Sequence, residues 1–335
     1  MKSKDTRKTG FDKFKNILDF WATNSEEGGW NISSTDEGSQ KMLEDESEKQ
    51  VKIQMGSDVV DDFVIDEDTS DDERMIVNMG PQHPSTHGVL RLQAELEGEV
   101  VRRVKPIIGY LHTGMEKTGE GLNYFQGPTN TTRMDYLSPL FNELVFSLTT
   151  EKLIGIEVPE RAKAIRILMT ELNRISSHLV ALATGGMDIG ALSMMIFGFR
   201  ERELILNFFE KTTGLRMNHN YIRPGGVAAD LPDGWQKDVK EILKVIPEKL
   251  QDYDDMLLDN PIWKGRLQNV GILTTEECFA YGITGPSLRA SGYEWDLRKS
   301  QPYSGIENYD FEIPVLKEGD VFARWRVKVL EIFES

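Results

Sequence analysis

Segments with helical periodicity place the strongest constraint on how this chain of 335 residues can fold. The clearest carries apolar residues three or four positions apart from Ile165 to Leu179, behind Pro159 at a position where helices tolerate proline. Gly185 and Gly186 are predicted to end this helix. Four helices are expected, at about 137–155, 159–184, 191–213 and 235–258. Helices of these lengths predict a packed bundle.

Strands precede the helices. A short strand is predicted at 75–78, and from Leu90 to Leu96 apolar and polar residues alternate before a turn at Gly98 and a returning strand at 100–104. The sequence therefore predicts an α+β fold that is mainly α, with a small N-terminal antiparallel sheet. The stretch 260–320 is rich in Gly, Pro and Ser, which predicts an irregular segment before a last helix at about 319–335.

Residues 1–73 differ in composition from the rest of the chain. Residues 36–73 contain fifteen Asp and Glu against three Lys, while 11–21 could form one short amphipathic helix. We expect 1–73 to be an acidic, disordered extension and 74–335 to be the folded domain. The net charge of −16 argues against nucleic acid as a partner. Neither a signal peptide nor a run of about 18 apolar residues is present, which predicts a cytoplasmic chain that meets membranes through partners.

A loop at 78–88 carries His83 and His87 between two prolines and two glycines. Proline fixes its own φ and biases the preceding residue towards extended geometry, so the histidines have few directions in which to point. A surface turn without chemistry is the alternative interpretation. The titratable ring of His87 makes it a candidate proton donor, and such a histidine needs a carboxylate to hold its charged form. Asp188 is the candidate partner, although it could instead cap the following helix.

Arg133 and Tyr136 lie where the loops give way to the helices. A tyrosine there can donate a phenolic hydrogen bond to a ligand carbonyl, and an arginine can stabilise negative charge. A surface Arg beside a half-buried Tyr is the alternative. Cys278 is the single cysteine, so the chain's own thiolates cannot hold an iron–sulfur cluster or a Cys-rich metal site. No Gly-rich dinucleotide motif supports a direct NAD site.

Several segments in a fixed order support a family resemblance. They are NMGPQHPSTHG (78–88), GYLHTGMEK (109–117), RMDY (133–136), YIRPGG (221–226), GPSLRASG (285–292) and DLRKSQPY (296–303). Together they strongly resemble the 49-kDa, or D, subunit of respiratory complex I, over about residues 74–333. Asn218-His219 and the pattern around Leu267-Gln268 are most similar to actinobacterial versions.

The resemblance implies a peripheral-arm subunit of the proton-translocating NADH:quinone oxidoreductase, on the cytoplasmic side of the cell membrane. It implies a fold like the nickel–iron hydrogenase large subunit, with quinone as substrate and no metal or cluster on this chain's own ligands. By the same resemblance, His87 and Tyr136 donate to the quinone headgroup, Asp188 pairs with His87, and Arg133 lies near the terminal iron–sulfur cluster. That cluster belongs to an adjoining small subunit; the other partners are further peripheral-arm subunits and the membrane arm.

The chain departs from the family in two respects. Many members carry a histidine near the cluster where this chain has Asn218, which cannot titrate, with His219 following. Members also run roughly a hundred residues further, so we expect the quinone chamber to be incomplete without that part. Two other functions stay open: a subunit of a membrane-bound hydrogenase or ferredoxin-linked oxidoreductase, and a non-catalytic assembly or scaffold protein.

Overall fold

The computed structural model describes residues 52–53 and 74–335. These residues fall into two compact units, divided between Tyr110 and Leu111. Its strands are β1 (Lys52–Ile53), β2 (Arg74–Met79), β3 (Arg91–Glu97), β4 (Val100–Ile107), β5 (Ile222–Arg223) and β6 (Gly226–Val227). Its helices are α1 (Met115–Glu120), α2 (Gly127–Thr131), α3 (Pro139–Ile154), α4 (Glu160–Asp188), α5 (Leu192–Thr213), α6 (Trp235–Leu257), α7 (Pro261–Leu267), α8 (Thr275–Ala280), α9 (Gly285–Ala290), α10 (Leu297–Ser300) and α11 (Val321–Glu334). The predicted mainly helical fold with a small antiparallel sheet is confirmed.

The first unit contains a sheet of four strands in the order β1-β4-β3-β2. β3 pairs antiparallel with β4, and these two strands form the predicted hairpin. β3 also pairs antiparallel with β2, the strand predicted to precede the hairpin. β1 joins the edge at β4 in parallel, a pairing that the sequence did not predict. β1 is the only part of the acidic extension among the described residues. The predicted helix at 11–21 and the remainder of 1–73 lie outside them.

The predicted alternation of buried and exposed residues in β3 is wrong in detail. Gln93, Ala94 and Glu95 are all buried, although the pattern placed the two polar residues on the exposed face. Glu95 can be buried because Arg74 on β2 and Arg103 on β4 place guanidinium nitrogens 3.2 and 3.7 Å from its carboxylate. The central strand therefore carries a charged contact that periodicity does not reveal.

The helical unit has one main apolar core. α3, α4, α5, α6, α7 and α11 all contribute to it, and Ile165, Leu172 and Leu179 of α4 are among its members. This confirms the apolar stripe predicted for α4. α4 and α5 approach closely at Gly198, where an added Cβ would lie 2.8 Å from the Cβ of Ala183. A glycine is needed there because a larger residue would overpack the contact.

The prediction that Gly185 and Gly186 end the second helix is wrong. α4 continues through both glycines to Asp188, and the chain turns at Gly190, which has a φ of +99°. The reason is packing: a Cβ on Gly186 would lie 2.7 Å from the Cβ of Met194 at the start of α5. The glycine therefore allows two helices to meet instead of stopping one.

The stretch 260–320, which the sequence predicted to be irregular, contains four short helices between residues 261 and 300, whereas residues 301–320 are irregular apart from a 3-10 turn at Ile306–Asn308. α8 begins with a capping box in which the Thr274 side chain accepts from the amide of Glu277, and the Glu277 side chain accepts from the amide of Thr274. The pattern Thr-x-x-Glu that predicts such a box is present in the sequence. Helices of four to seven residues are too short to show an apolar period, which is why the prediction missed them.

A buried histidine and the cysteine both lie inside the helical unit. His178 is a core histidine whose Nε2 lies 2.7 Å from the carboxylate of Glu331, and burial lowers its pKa. Arg289 donates to the other oxygen of Glu331 at 2.7 Å, so the carboxylate joins α4, α9 and α11. Cys278 is fully buried.

Candidate functional site

The loop that carries His83 and His87 is built around a short 3-10 turn, Pro84–Thr86. The Nδ1 atom of His83 accepts from the amide of Ser85 at 3.1 Å, so His83 caps this turn. The buried Thr86 hydroxyl lies 3.1 and 3.0 Å from the carbonyls of Pro81 and His83. At Gly80 a Cβ would lie 2.2 Å from the carbonyl oxygen of Leu90, so only glycine fits. His83 therefore has a structural role in the loop.

His87 ends this turn in a different environment. Its backbone is left-handed, with a φ of 51° and a ψ of 24°, and its side chain is exposed. A non-glycine residue in this conformation is uncommon and is often found where a side chain must point in a set direction. The two histidines of the loop therefore differ in role: His83 caps the turn, and His87 lies exposed at its end.

The segment with Arg133 and Tyr136 links α2 to α3, and both residues are exposed. It is anchored on both sides. The Thr132 hydroxyl donates to the buried carboxylate of Glu143 at 2.7 Å. Asn173 of α4 accepts from the amide of Leu140 at 3.1 Å and donates to the carbonyl of Leu137 at 3.0 Å. The exposed phenol of Tyr136 is therefore carried by a fixed backbone.

Asp188 is the last residue of α4, and it was expected in a connection after that helix. The alternative role as a cap of α5 is excluded, because Ala191 is the N-cap residue and no side chain caps that end. His87 belongs to the first compact unit, whereas Arg133, Tyr136 and Asp188 belong to the second. The pairing of His87 with Asp188 stays a prediction.

A third loop, residues 217–227, contains β5 and β6 and the residues expected near a cluster. Asn218 and Asn220 both have positive φ, 52° and 48°. The side-chain oxygens of both residues and the Nε2 atom of His219 are buried and have no hydrogen-bond partner within the described part of the chain. Buried polar atoms normally have partners, so unpaired polar atoms on three consecutive residues make this loop unusual.

His219 is 4% exposed and its ring meets that of Phe209 edge-on at 4.9 Å. Its Nδ1 atom lies 3.1 Å from the carbonyl of Leu215, which places the proton on Nδ1 because a carbonyl can only accept. Burial lowers the pKa of His219 to about 4. The imidazole is therefore neutral at physiological pH.

Replacing His219 with Gln should flatten the dependence of stability on pH. The unfolded histidine takes up a proton near pH 6.5 and the folded one only near pH 4, so this residue's contribution is complete above pH 6.5 and is lost as the pH falls to 4. We expect the loss to be about 3 kcal/mol in the wild type and absent in the variant. Urea unfolding at several pH values measures it, with pH 8 as the baseline for each protein. Equal slopes in both proteins between pH 6.5 and 4 would contradict the assignment.

Two carboxylates of α3 that the sequence analysis did not single out hold this third loop. Glu143 accepts from the amides of Asn220, Tyr221 and Ile222 at 2.6, 2.8 and 2.9 Å. Glu151 accepts from the amide of Gly225 at 2.8 Å and from Arg166. A signal was available, since the buried face of α3 contains these residues among Leu140, Leu144, Ser147 and Thr150. Charged residues in a buried stripe indicate specific partners.

Two cavities lie in the helical unit. One of about 530 Å³ lies along α4 and α6 and is lined mainly by apolar residues, with Trp235 and Phe311 among them. The other, of about 360 Å³, is lined by residues on and beside α3, including Met134 and Val145. Neither lining includes Arg133, Tyr136 or Asp188.

Within residues 52–53 and 74–335, no group of three or more His, Cys, Asp or Glu side chains is arranged to hold a metal ion. In the same residues, no helix combines the length and the apolar character required to cross a bilayer.

Comparison with known proteins gives consistent matches. The family model described as "Respiratory-chain NADH dehydrogenase, 49 Kd subunit" matches residues 188–335. The chain is 58% identical over 270 residues to an NADH-quinone oxidoreductase D subunit of Salinispora arenicola, covering 80% of this chain and 61% of that protein. It is 54% identical over 291 residues to the D subunit of Mycobacteroides abscessus, covering 86% of this chain and 67% of that protein. It is 59% identical over 266 residues to the D subunit of Rhodococcus jostii, covering 79% of this chain and 61% of that protein. These relatives are actinobacterial, as expected, and the chain spans about three fifths of the first of them.

Proposed function

The chain belongs to the family of the 49-kDa subunit of the respiratory-chain NADH dehydrogenase, and from this premise we propose that it is a subunit of a proton-translocating NADH:quinone oxidoreductase. The observation that carries the proposal is the identity of 54% over 291 residues with an NADH-quinone oxidoreductase D subunit, of which 67% is covered. The role of the chain in that complex is to form the site for the quinone headgroup.

Tyr136 and His87 are the proton donors in this proposal. Reduction of a quinone to a quinol takes up two electrons and two protons, and each carbonyl oxygen needs a donor within about 2.6–3.2 Å. A phenol and an imidazolium are suitable donors. The exposure of Tyr136 on an anchored segment supports its role, and so does the presentation of His87 at the end of a capped turn.

Asp188 and Arg133 complete the proposed site. The carboxylate of Asp188 would hold the charged form of His87 before the proton is given to the quinone. Arg133 would stabilise negative charge close to the electron donor. That donor is the terminal iron–sulfur cluster of an adjoining small subunit, which supplies the two electrons. The exposure of Arg133 is compatible with a contact to another subunit.

Location and fold follow from the same premise. We place the chain on the cytoplasmic side of the cell membrane, bound through the other peripheral-arm subunits to the membrane arm. The helical unit is proposed to share its fold with the nickel–iron hydrogenase large subunit. This chain could not hold nickel through thiolates as such enzymes do, because Cys278 is its single cysteine.

Purification from membranes tests the proposal. A tagged copy of the chain, expressed in a strain that lacks the native copy, should be recovered in mild detergent together with an iron–sulfur subunit and with NADH:quinone activity. The deletion strain should lose that activity, and the tagged copy should restore it. Recovery of the chain alone, with full NADH:quinone activity in the deletion strain, would refute the proposed function.

A further inference from the structure

The carboxylate of Glu143 joins two segments that are distant in sequence. Its side chain is fully buried. The hydroxyl of Thr132 and the amide of Asn220 donate to Oε1 at 2.7 and 2.6 Å. The amides of Tyr221 and Ile222 donate to Oε2 at 2.8 and 2.9 Å. Four donors thus surround one carboxylate, one from the segment before α3 and three from the loop 217–227.

Glu143 differs from the other buried carboxylate of α3. Glu151 forms an ion pair with Arg166, and such a pair is an ordinary structural contact. Among the described residues, no cationic side chain pairs with Glu143, and burial raises the pKa of its carboxyl. A buried carboxylate is costly, so hydrogen bonds from backbone amides must compensate for its charge. Leu140 and Leu144 show that apolar residues fit the same face of the helix.

We propose that Glu143 is a positioning residue for quinone reduction, whose carboxylate holds the segment of Arg133 and Tyr136 in register with the loop of Asn218 and His219. This inference rests on the proposed function. Thr132 adjoins Arg133, and Asn220 follows His219, so each hydrogen bond acts close in sequence to a side chain expected near the quinone or the cluster. Catalytic geometry is sensitive to displacements of about 1 Å. We call the four hydrogen bonds from Thr132, Asn220, Tyr221 and Ile222 to Glu143 the clamp. The clamp therefore positions the reacting groups without contacting them.

Only a carboxylate satisfies this arrangement. All four partners donate, and glutamate offers two oxygens that only accept. A glutamine of the same size has one such oxygen and an amide group that donates, so the amide would face further donors. Glu143→Gln therefore opens the clamp with almost no change in volume. Glu203→Gln is the matched control, because the carboxylate of Glu203 is exposed and accepts from Arg216 near the same loop.

Hydrogen exchange on the full chain tests the clamp itself. In Glu143→Gln, the amides of Asn220, Tyr221 and Ile222 should exchange at least tenfold faster than in the wild type, because they lose their acceptor. Glu203→Gln should exchange like the wild type. Unchanged exchange in Glu143→Gln would overturn the clamp, and this result does not depend on the proposed function.

The assembled complex tests the role in catalysis. Glu143→Gln should lower NADH:quinone turnover about tenfold or more and leave NADH oxidation by artificial acceptors intact. It should also move the line positions of the terminal cluster in electron paramagnetic resonance, because the residues near the cluster shift. A role limited to folding would reduce signal intensity without moving the lines. Wild-type turnover and wild-type line positions would overturn the proposal.

A second variant covers failure of Glu143→Gln to assemble. Thr132→Val removes one of the four hydrogen bonds and keeps the side-chain shape, so it should shift turnover and line positions in the same direction by less. Wild-type values in Thr132→Val would overturn the proposal. Absence of the wild-type chain from the purified complex would instead refute the proposed function, and hydrogen exchange would still decide whether the clamp exists.

Discussion

Tyr136→Phe should reduce NADH:quinone turnover by about a hundredfold or more, the range for loss of a positioned proton donor. The substitution removes one oxygen atom. The surrounding segment should keep its position, because the contacts from Glu143 and Asn173 reach Thr132, Leu137 and Leu140 and not the Tyr136 ring. Oxidation of NADH by artificial acceptors should stay at the wild-type rate, since those electrons need not reach the quinone.

His87→Ala should have an effect of similar size for the same reason. The control for the loop is His83→Asn, which keeps a side-chain acceptor for the amide of Ser85 and so preserves the cap. The control for Tyr136 is Tyr124→Phe, another exposed tyrosine of the helical unit. Both controls should reduce quinone at the wild-type rate. If Tyr136→Phe and His87→Ala also do so, the two residues are not the proton donors.

Arg166→Met should lower the free energy of unfolding by about 3–5 kcal/mol, the usual result of removing one partner from a buried ion pair. Arg166 is 0% exposed. It donates to Glu151 at 3.0 and 2.5 Å, and to the carbonyls of Arg223 and Gly226 at 2.9 Å. The variant would leave a buried carboxylate with the Gly225 amide as its remaining partner among these contacts. Urea unfolding of the purified chain, followed by circular dichroism, measures the loss.

Two further variants make this test specific. Arg161 lies on the same helix as Arg166 and forms an exposed pair with Asp230. Arg161→Met removes that pair and should leave the unfolding midpoint close to that of the wild type. The double variant Arg166→Met, Glu151→Leu replaces the buried pair by apolar groups and should recover part of the loss. Equal midpoints for Arg166→Met and Arg161→Met would show that the buried pair does not hold the hairpin of β5 and β6.

Long periodic helices were predictable because burial of one face leaves a period of about 3.6 residues. α5 and α6 began and ended within two residues of their predicted limits. The second helix was wrong at its end, because the role of Gly186 depends on Met194 of the next helix. The short helices between 261 and 300 were missed, although Thr274 and Glu277 carried a capping signal.

The sequence by itself determined the family and the mainly helical fold, because each has a local signature in motifs or periodicity, and the family resemblance supplied the candidate donors. Only the tertiary structure showed that Glu143 and Glu151 hold the loop 217–227. The amide of Asn220 is 77 residues from Glu143, and the carbonyl of Gly226 is 60 residues from Arg166. A hydrogen bond from a backbone amide to a distant carboxylate imposes no residue type on the donor, so it leaves no pattern to detect until the chain is folded.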